Sequence, residues 1–182
     1  MLLKLDPWFE TFFRPAQSST IFYYTDLVVN IYKNKQILSW AMYDWANSAF
    51  ATIVLAGFFP LFFKQYWSAQ NTVTESTFQL GAANAVASMV IVMLAPALGA
   101  IADAGNLKKR LLIVFSFLGI SMTLGLYFVE QNSWILAISF FVLASIGFSG
   151  SIVFNDALLT DITEEKNYDR VSAFGYALGY LG

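Results

Sequence analysis

Residues 40–67 read WAMYDWANSAFATIVLAGFFPLFFKQYW, and this stretch decides the fold of the chain. A helix rises about 1.5 Å per residue, so this apolar run is long enough to cross a bilayer core roughly 30 Å thick. It nevertheless opens with a polar cluster containing Asp44, Asn47 and Ser48, which share one helix face because they stand at i, i+3 and i+4. A carboxylate inside a membrane helix costs roughly 2.5–3.5 kcal/mol unless it meets protein or water. The stretch therefore predicts a spanning helix that belongs to a bundle.

The composition of the 182 residues is typical of a membrane protein. The chain is 58% hydrophobic and 12% charged, with a mean hydropathy of +0.60, whereas soluble domains carry about 25% charged residues. The absence of cysteine excludes disulfides, thiolate metal sites and cysteine nucleophiles, and the absence of histidine leaves carboxylates as the side chains that exchange protons near neutral pH. We expect no metal and no cofactor. We also expect no nucleic-acid partner, because the net charge is only -2 and no basic helix occurs. The sequence also has no phosphate-binding glycine loop and no nucleophile elbow, so it does not predict an enzyme or an ATP-driven pump.

Apolar runs predict an all-α, polytopic membrane fold with four transmembrane helices and the start of a fifth. The predicted spans are about residues 37–63, 78–102, 111–129 and 134–159, with an incomplete span at 171–182. A polar loop, residues 64–77, separates the first two. Because the turn between the third and fourth spans is short, these two should be antiparallel neighbours.

Small and aromatic residues predict how the spans are placed. Gly81, Ala85 and Ser88 indicate that the second span packs closely against a neighbouring helix. Aromatic side chains near the two ends of the first span are expected at the lipid headgroups; they are Trp40, Trp45, Tyr66 and Trp67.

Residues 1–35 do not match the bundle that we assign to residues 36–182. Their apolar stretch, 21–32, is well short of the roughly 20 residues that a spanning helix needs. We interpret this segment as a cytoplasmic leader, or as residues added by an upstream start. At the other end, a glycine-rich half-span that closes at Gly182 is too short to cross a bilayer, so we expect the chain to be a fragment.

Basic residues predict the orientation. With the N-terminus in the cytoplasm, every lysine and arginine except Lys64 falls on the cytoplasmic side. Positive residues concentrate on that side of membrane proteins. We therefore expect an integral, multi-pass membrane protein with a cytoplasmic N-terminus, in the cell (inner) membrane if the protein is bacterial.

The most specific motif follows the second span and reads GAIADAGNLKKR, residues 99–110. It resembles the signature after the second helix of the major facilitator superfamily, and the matching residues are Gly99, Asp103, Gly105, Lys108, Lys109 and Arg110. The first glycine allows a close helix crossing, and the aspartate one turn later can meet a helix N-terminus or an arginine. The resemblance implies a latch between two transporter halves. The chain departs from the signature at Ala104, where a basic residue is usual, and at Asn106, which replaces the second glycine. A basic turn without a latch is the alternative.

Three stretches together, residues 43–67, 99–110 and 155–182, resemble the vacuolar-effluxer-like branch of that superfamily, and the resemblance covers nearly everything after Lys35. Fungal members of the branch are associated with amino-acid release from the vacuole. The resemblance implies about twelve spans in two similar halves, with a substrate cavity near the bilayer midplane. This chain then supplies the first four spans and the start of the fifth, and its partner is the missing C-terminal half of the same transporter.

Polar residues inside the spans are the candidates for the substrate cavity. First spans line that cavity in the superfamily, which implies Asp44, Asn47 and Ser48, with Asp44 as the candidate for proton coupling. Asn84 and Ser88 repeat the i, i+4 polar spacing on the second span. Helix packing and interhelical hydrogen bonds are the alternative for these residues.

Acidic residues close the fourth span on its cytoplasmic side. Asp156 and Asp161, together with Arg170, are candidates for gate-side salt bridges with the basic loop 108–110. A solvated acidic loop is the alternative.

The sequence therefore predicts the N-terminal part of a secondary active transporter that moves a small solute by alternating access. The expected partners are the lipid bilayer, the second half of the transporter and the solute, in a proton-coupled mode. The alternatives are a non-transporting helical membrane scaffold or assembly subunit, and an inactive gene fragment. We expect no transport by such a fragment alone, because half a cavity has no opposing bundle to move against.

Overall fold

The computed structural model describes residues 34–105 and 107–181. The chain divides into two compact units, Met1–Leu38 and Ser39–Gly182, and only the last residues of the first unit are described. The leader predicted for residues 1–35 therefore lies almost entirely outside the described residues. All regular elements in the described ranges are helices, which confirms the all-helical fold class.

Four long helices and one shorter helix make up this part of the chain. They are α1 (Lys35–Trp67), α2 (Val73–Gly105), α3 (Lys108–Gly125, continued by a 3-10 turn at Leu126–Phe128), α4 (Trp134–Ile162) and α5 (Tyr168–Gly179, after a 3-10 turn at Glu165–Asn167). The first four are long and apolar enough to cross a membrane. The chain is therefore an integral, multi-pass membrane protein.

The middle of α1 is wound more widely than an α-helix. Phe50–Phe58 and Phe63–Trp67 are π-helical, with hydrogen bonds between residues five apart, such as that from Phe59 N–H to the carbonyl of Val54. These segments flank Pro60, whose nitrogen has no hydrogen to donate and so interrupts regular α-helical pairing. The polar cluster of the first span lies before them, in the regular α-helical part, and keeps its i, i+3, i+4 relation.

The connection between α1 and α2 is shorter than the polar loop predicted for residues 64–77. Helix α2 already begins at Val73, because Thr72 and Glu75 form a capping box in front of it. The Thr72 N–H donates to the Glu75 carboxylate at 2.8 Å, and the Glu75 N–H donates to the Thr72 hydroxyl at 3.3 Å. These bonds satisfy main-chain donors that a loop would otherwise leave to water.

Helices α3 and α4 form an antiparallel hairpin, as predicted, and their backbones touch. A Cβ atom added at Gly147 would lie 2.7 Å from both the Cα of Gly119 and the carbonyl oxygen of Phe115. A Cβ added at Gly119 would lie 3.5 Å from the carbonyl oxygen of Ala144. In lipid, small residues of this kind allow the close backbone approach that holds helices together.

An aromatic cluster closes the end of the bundle near Trp67. The rings of Phe59 and Phe141 stack with their centroids 3.9 Å apart, and both side chains are buried. The indole N–H of Trp67 donates to the carbonyl oxygen of Val129 at 3.2 Å. The hairpin turn is tied to the same end of α1, because the N–H of Asn132, in left-handed conformation, donates to the Tyr66 carbonyl oxygen at 3.1 Å.

The packing face of α2 differs from the predicted one. Gly81, Ala85 and Ser88 are exposed, whereas Ala83 and Ala87 are buried. Both faces of α2 carry small residues, so the sequence alone did not show which face packs against a neighbouring helix. The contacts that α2 makes with α4 decide which face is covered.

One methyl group at Gly147 should force α3 and α4 apart. Gly147→Ala gains about 0.5–1 kcal/mol of helix propensity, but overpacking against backbone costs about 1–3 kcal/mol. We therefore expect a lower melting temperature in detergent, measured by size-exclusion chromatography after heating. Gly81→Ala is the matched control, because a Cβ there meets no atom within 4 Å. Equal melting temperatures for the two variants would contradict the role of this crossing.

Candidate functional site

A pocket of about 250 Å³ lies at the end of the bundle that carries Lys108, here called the basic end. Three helices line it: α1 supplies Trp40 and Asp44, α4 supplies Asp156 and Leu159, and α5 supplies Ser172 and Tyr176. Asp44 lies one turn after Trp40 on α1, which places both side chains on the same face. We call this space the carboxylate pocket.

The carboxylate pocket brings together two acids that sequence reasoning had assigned to different places. Asp44 was predicted for the substrate cavity and Asp156 for the gate, yet both line one pocket. Its six lining residues include no lysine or arginine. Two carboxylates that share a pocket repel each other unless a proton or another cation offsets their charge.

Trp40 holds the first and fourth helices together beside this pocket. Its side chain is buried, and its indole N–H donates to the main-chain carbonyl of Asn155 at 2.6 Å. Trp67 makes the equivalent bond at the other end of α1. The predicted headgroup position is therefore wrong for both residues, because each indole is enclosed by protein and has a carbonyl partner there. Trp45 is partly exposed.

The other two polar residues of the first span lie beside different neighbours. Ser48 donates to the carbonyl oxygen of Asp44 in its own helix at 3.0 Å. Asn47 instead lines a second pocket, of about 340 Å³, between α1, α3 and α4. Tyr43 and Ser116 share a hydrogen bond of 2.7 Å in its wall. The polar face of α1 is thus divided between two spaces.

The second-span candidates lie away from both pockets. Asn84 and Ser88 are exposed on α2, and the Asn84 amide donates to the Leu80 carbonyl of its own helix at 3.0 Å. Neither residue lines the carboxylate pocket or the second pocket.

Lys108 links the ends of three helices at the basic end. Its ammonium nitrogen lies 3.0 Å from an oxygen of Asp161 at the end of α4 and 3.6 Å from an oxygen of Asp103 near the end of α2. The Thr160 hydroxyl accepts a further hydrogen bond at 3.3 Å. The side chain of Lys108 is 13% exposed, whereas those of Asp161 and Asp103 are 42% and 73% exposed, so the cluster is partly open to solvent.

The other predicted residues of the loop motif and of the gate-side salt bridges lie outside the Lys108 cluster. Lys109 and Arg110 are exposed, Gly105 ends α2, and Arg170 is half-buried near the start of α5. A Cβ at Gly99 would meet no atom within 4 Å, so the described residues do not make the close crossing predicted there.

Glu164 pairs within its own loop, with Lys166, at 2.5 Å. The hydrogen bond and the positive charge of Lys166 lower the pKa of the Glu164 carboxyl below its ordinary value. This acid therefore has a local partner, whereas Asp161 is the gate-side candidate that reaches the basic loop. Across residues 34–105 and 107–181, no group of three acidic, histidine or cysteine side chains is placed to hold a metal ion.

Sequence reasoning missed four of the six residues that line the carboxylate pocket: Trp40 in this role, Leu159, Ser172 and Tyr176. The available signal was the pair Gly175 and Gly179, four residues apart on the last helix. Such a pair predicts a close helix neighbour, but it does not say which helix.

The comparisons with known proteins agree with this architecture. The family described as "Vacuole effluxer Atg22 like" matches residues 32–182. An "Uncharacterized MFS-type transporter YxiO" of Bacillus subtilis (strain 168) is 43% identical over 150 residues, which are 81% of this chain and 35% of that protein. An "Uncharacterized protein" of Aquifex aeolicus (strain VF5) is 28% identical over 150 residues, covering 82% of this chain and 36% of that protein. No solved structure gives a significant match.

The chain thus spans about a third of the length of these curated relatives. The family match covers α1 to α5 and includes all residues of the carboxylate pocket and of the Lys108 cluster. The chain belongs to the Atg22-like vacuole effluxer family, as its resemblance to that branch of the major facilitator superfamily predicted.

Proposed function

We propose that this chain forms the N-terminal part of a secondary active transporter, which moves a small solute across a membrane by alternating access. The observation that carries the proposal is the carboxylate pocket, where Asp44 of α1 and Asp156 of α4 line one space at the end of a helical membrane bundle. Ionisable residues within membrane segments are costly and mark substrate, ion or proton pathways. Amino acids are the first solute class to test, because fungal members of the branch that this chain resembles are associated with amino-acid release from the vacuole.

The length of the relatives supports a two-part transporter. Each relative is roughly three times as long as the stretch that matches this chain, and the Bacillus subtilis relative is named as a transporter of the major facilitator type. In that architecture, two similar halves move against each other around a central site. The present helices supply four spans of the first half, and the second half supplies the opposing wall.

The orientation that we propose places the N-terminus and the basic end in the cytoplasm. Lys108, Lys109 and Arg110 then lie on the side where positive residues concentrate. In a bacterium, the corresponding membrane is the cell (inner) membrane. The carboxylate pocket then opens near the cytoplasmic side.

Proton coupling follows from the charge of the carboxylate pocket. When both acids are ionised, their repulsion opposes close approach of α1, α4 and α5, and binding of one proton removes it. Loss of the proton to the cytoplasm would separate the helices again. The two protonation states therefore favour different spacings at this end of the bundle, which is the requirement for coupling a proton to alternating access.

Neutralising either acid should uncouple uptake from the proton gradient. In the full-length protein reconstituted in liposomes, Asp44→Asn and Asp156→Asn should each abolish the stimulation of amino-acid uptake by an imposed pH gradient. The reason is that an amide cannot exchange the proton. Asp169→Asn, an exposed acid at the start of α5, is the matched control and should keep the stimulation.

Gradient-stimulated uptake that survives in Asp44→Asn would remove the coupling role. Absence of any solute flux in the unmodified full-length protein, tested over a panel of amino acids and other small solutes, would favour a non-transporting membrane scaffold.

The Lys108 cluster is a candidate latch within this half of the transporter, because its ion pairs and its hydrogen bond to Thr160 tie the ends of α2, α3 and α4. Lys108→Asp or Asp161→Lys should each lower uptake several-fold, with little change in melting temperature, since partly exposed pairs contribute about 0–1 kcal/mol. The double exchange should recover part of the uptake. Recovery stays incomplete because Asp103 then lies beside a carboxylate at position 108.

Lys109→Asp is the control for this exchange, because it changes the charge of the loop by the same amount at an exposed neighbour. If Lys109→Asp lowers uptake as much as Lys108→Asp, net loop charge explains the effect. If the double variant is no better than the singles, the pairing of Lys108 with Asp161 has no function.

A further inference from the structure

Helix α5 packs against α1 beside the carboxylate pocket, with Gly175 against Trp40 and Gly179 against Asp44. A Cβ at Gly175 would clash with the indole of Trp40, lying 2.8 Å from Cη2 and closer still to Cζ3. One turn later, a Cβ at Gly179 would lie 2.7 Å from Oδ2 of Asp44 and 3.4 Å from the Ser48 hydroxyl. Real Cβ atoms essentially never come within 3.0 Å of other heavy atoms, so the two glycines let α5 lie directly against the side chains of Trp40 and Asp44 on α1.

The same indole is bound on its other side. Its N–H donates to the carbonyl oxygen of Asn155, the residue directly before Asp156 on α4. Trp40 is therefore held between the backbones of α4 and α5, while it belongs to α1 one turn from Asp44. One side chain thus sets the spacing of all three helices that line the carboxylate pocket.

We propose that Trp40 is a positioning residue: seated between the Asn155 carbonyl and Gly175, it holds Asp44 and Asp156 in one pocket and keeps α5 over Asp44. The inference rests on the proposed transport function for its biological meaning, but its structural content is separate. Removing the indole frees α5 from α1 and α4, so the two acids no longer line one pocket. The ring acts through the carboxylates and does not itself exchange protons.

The test uses the absence of cysteine from this chain. Spin labels attached at Met42→Cys on α1 and Ala177→Cys on α5, both exposed positions, report the spacing of these helices by electron paramagnetic resonance. In the full chain reconstituted in lipid, the parent should give one narrow distance distribution. Trp40→Ala should broaden it and lengthen its mean by several ångström. Trp40→Phe keeps a ring but loses the N–H bond to Asn155 and the indole atoms beside Gly175, so it should broaden the distribution to a smaller extent.

Two controls separate this effect from unfolding. Trp45→Ala removes a partly exposed tryptophan from the same helix and should leave the distribution unchanged. A second label pair, Ile113→Cys on α3 and Val153→Cys on α4, reports the rest of the bundle and should keep its distance in Trp40→Ala. If the distance distribution of this second pair also broadens in Trp40→Ala, that variant has disturbed the whole bundle and Gly175→Ala is used in its place. Its added methyl group should displace α5 while leaving the indole of Trp40 intact.

An unchanged α1 to α5 distance in Trp40→Ala, or in Gly175→Ala where it replaces that variant, overturns the proposal. A distribution in Trp40→Phe as narrow as that of the unsubstituted chain overturns it as well, since neither the indole N–H nor the indole atoms beside Gly175 would then hold the helices. In the full-length protein, uptake should fall by about tenfold or more in Trp40→Ala and by a smaller factor in Trp40→Phe, as expected when catalytic or binding groups are misplaced by about 1 Å. The two tests can also disagree. If Asp44→Asn keeps its gradient-stimulated uptake while the spin-label distances change as expected, the coupling function is lost but the positioning role of Trp40 stands.

Discussion

The backbone contact between α3 and α4 is the constraint on which the rest of the structure depends. Lipid offers no hydrophobic driving force between helices, so association relies on close packing of small residues and on interhelical hydrogen bonds. Gly119 and Gly147 let the two backbones meet and fix the position of α4. Helix α4 is also the most enclosed span. Of its most apolar 18 residues, 44% are buried inside the protein, whereas the share is 11% for each of the other three spans. It is the element against which α1, α2 and α5 are placed.

The two ends of α4 have different chemistry. Near its start, Phe141 stacks on Phe59 of α1 in a wholly apolar cluster. Near its end, the Asn155 carbonyl binds the Trp40 indole, Asp156 lines the carboxylate pocket and Asp161 binds Lys108. Aromatic packing does not respond to protons or charge, whereas carboxylates do. A bundle built in this way is expected to be stable at one end and to change its spacing at the other.

Much of the fold was predictable because it depends on local sequence. Apolar runs longer than a bilayer core located the four spans, and a short turn predicted the α3 to α4 hairpin. The helix boundaries were less accurate at Thr72, where a capping box extends α2 into the predicted loop. The packing face of α2 was wrong, since Gly81 and Ala83 belong to faces of similar composition. Only the neighbouring helix distinguishes them.

The candidate site was predictable in its parts. Asp44 was identified from the cost of a charge in a membrane span, and Asp161 from its place near the basic loop. The link between Asp44 and Asp156 was not identified, because more than a hundred positions separate them along the chain and no pattern connects them. The same holds for the bond from Trp40 to Asn155, which converts an expected headgroup anchor into a contact between helices.

By itself, the sequence determined that this chain is a helical membrane protein, where its spans lie and to which family it belongs. Those properties follow from hydrophobic length, from the distribution of charge and from short motifs, all of which can be read along one dimension. The tertiary structure decided which helix faces meet, and therefore which carboxylates share a pocket and which tryptophan holds them there. These properties depend on the rotation and spacing of each helix, which are set by the close approach of backbones at Gly147 and by the contact of the Trp40 side chain with Gly175.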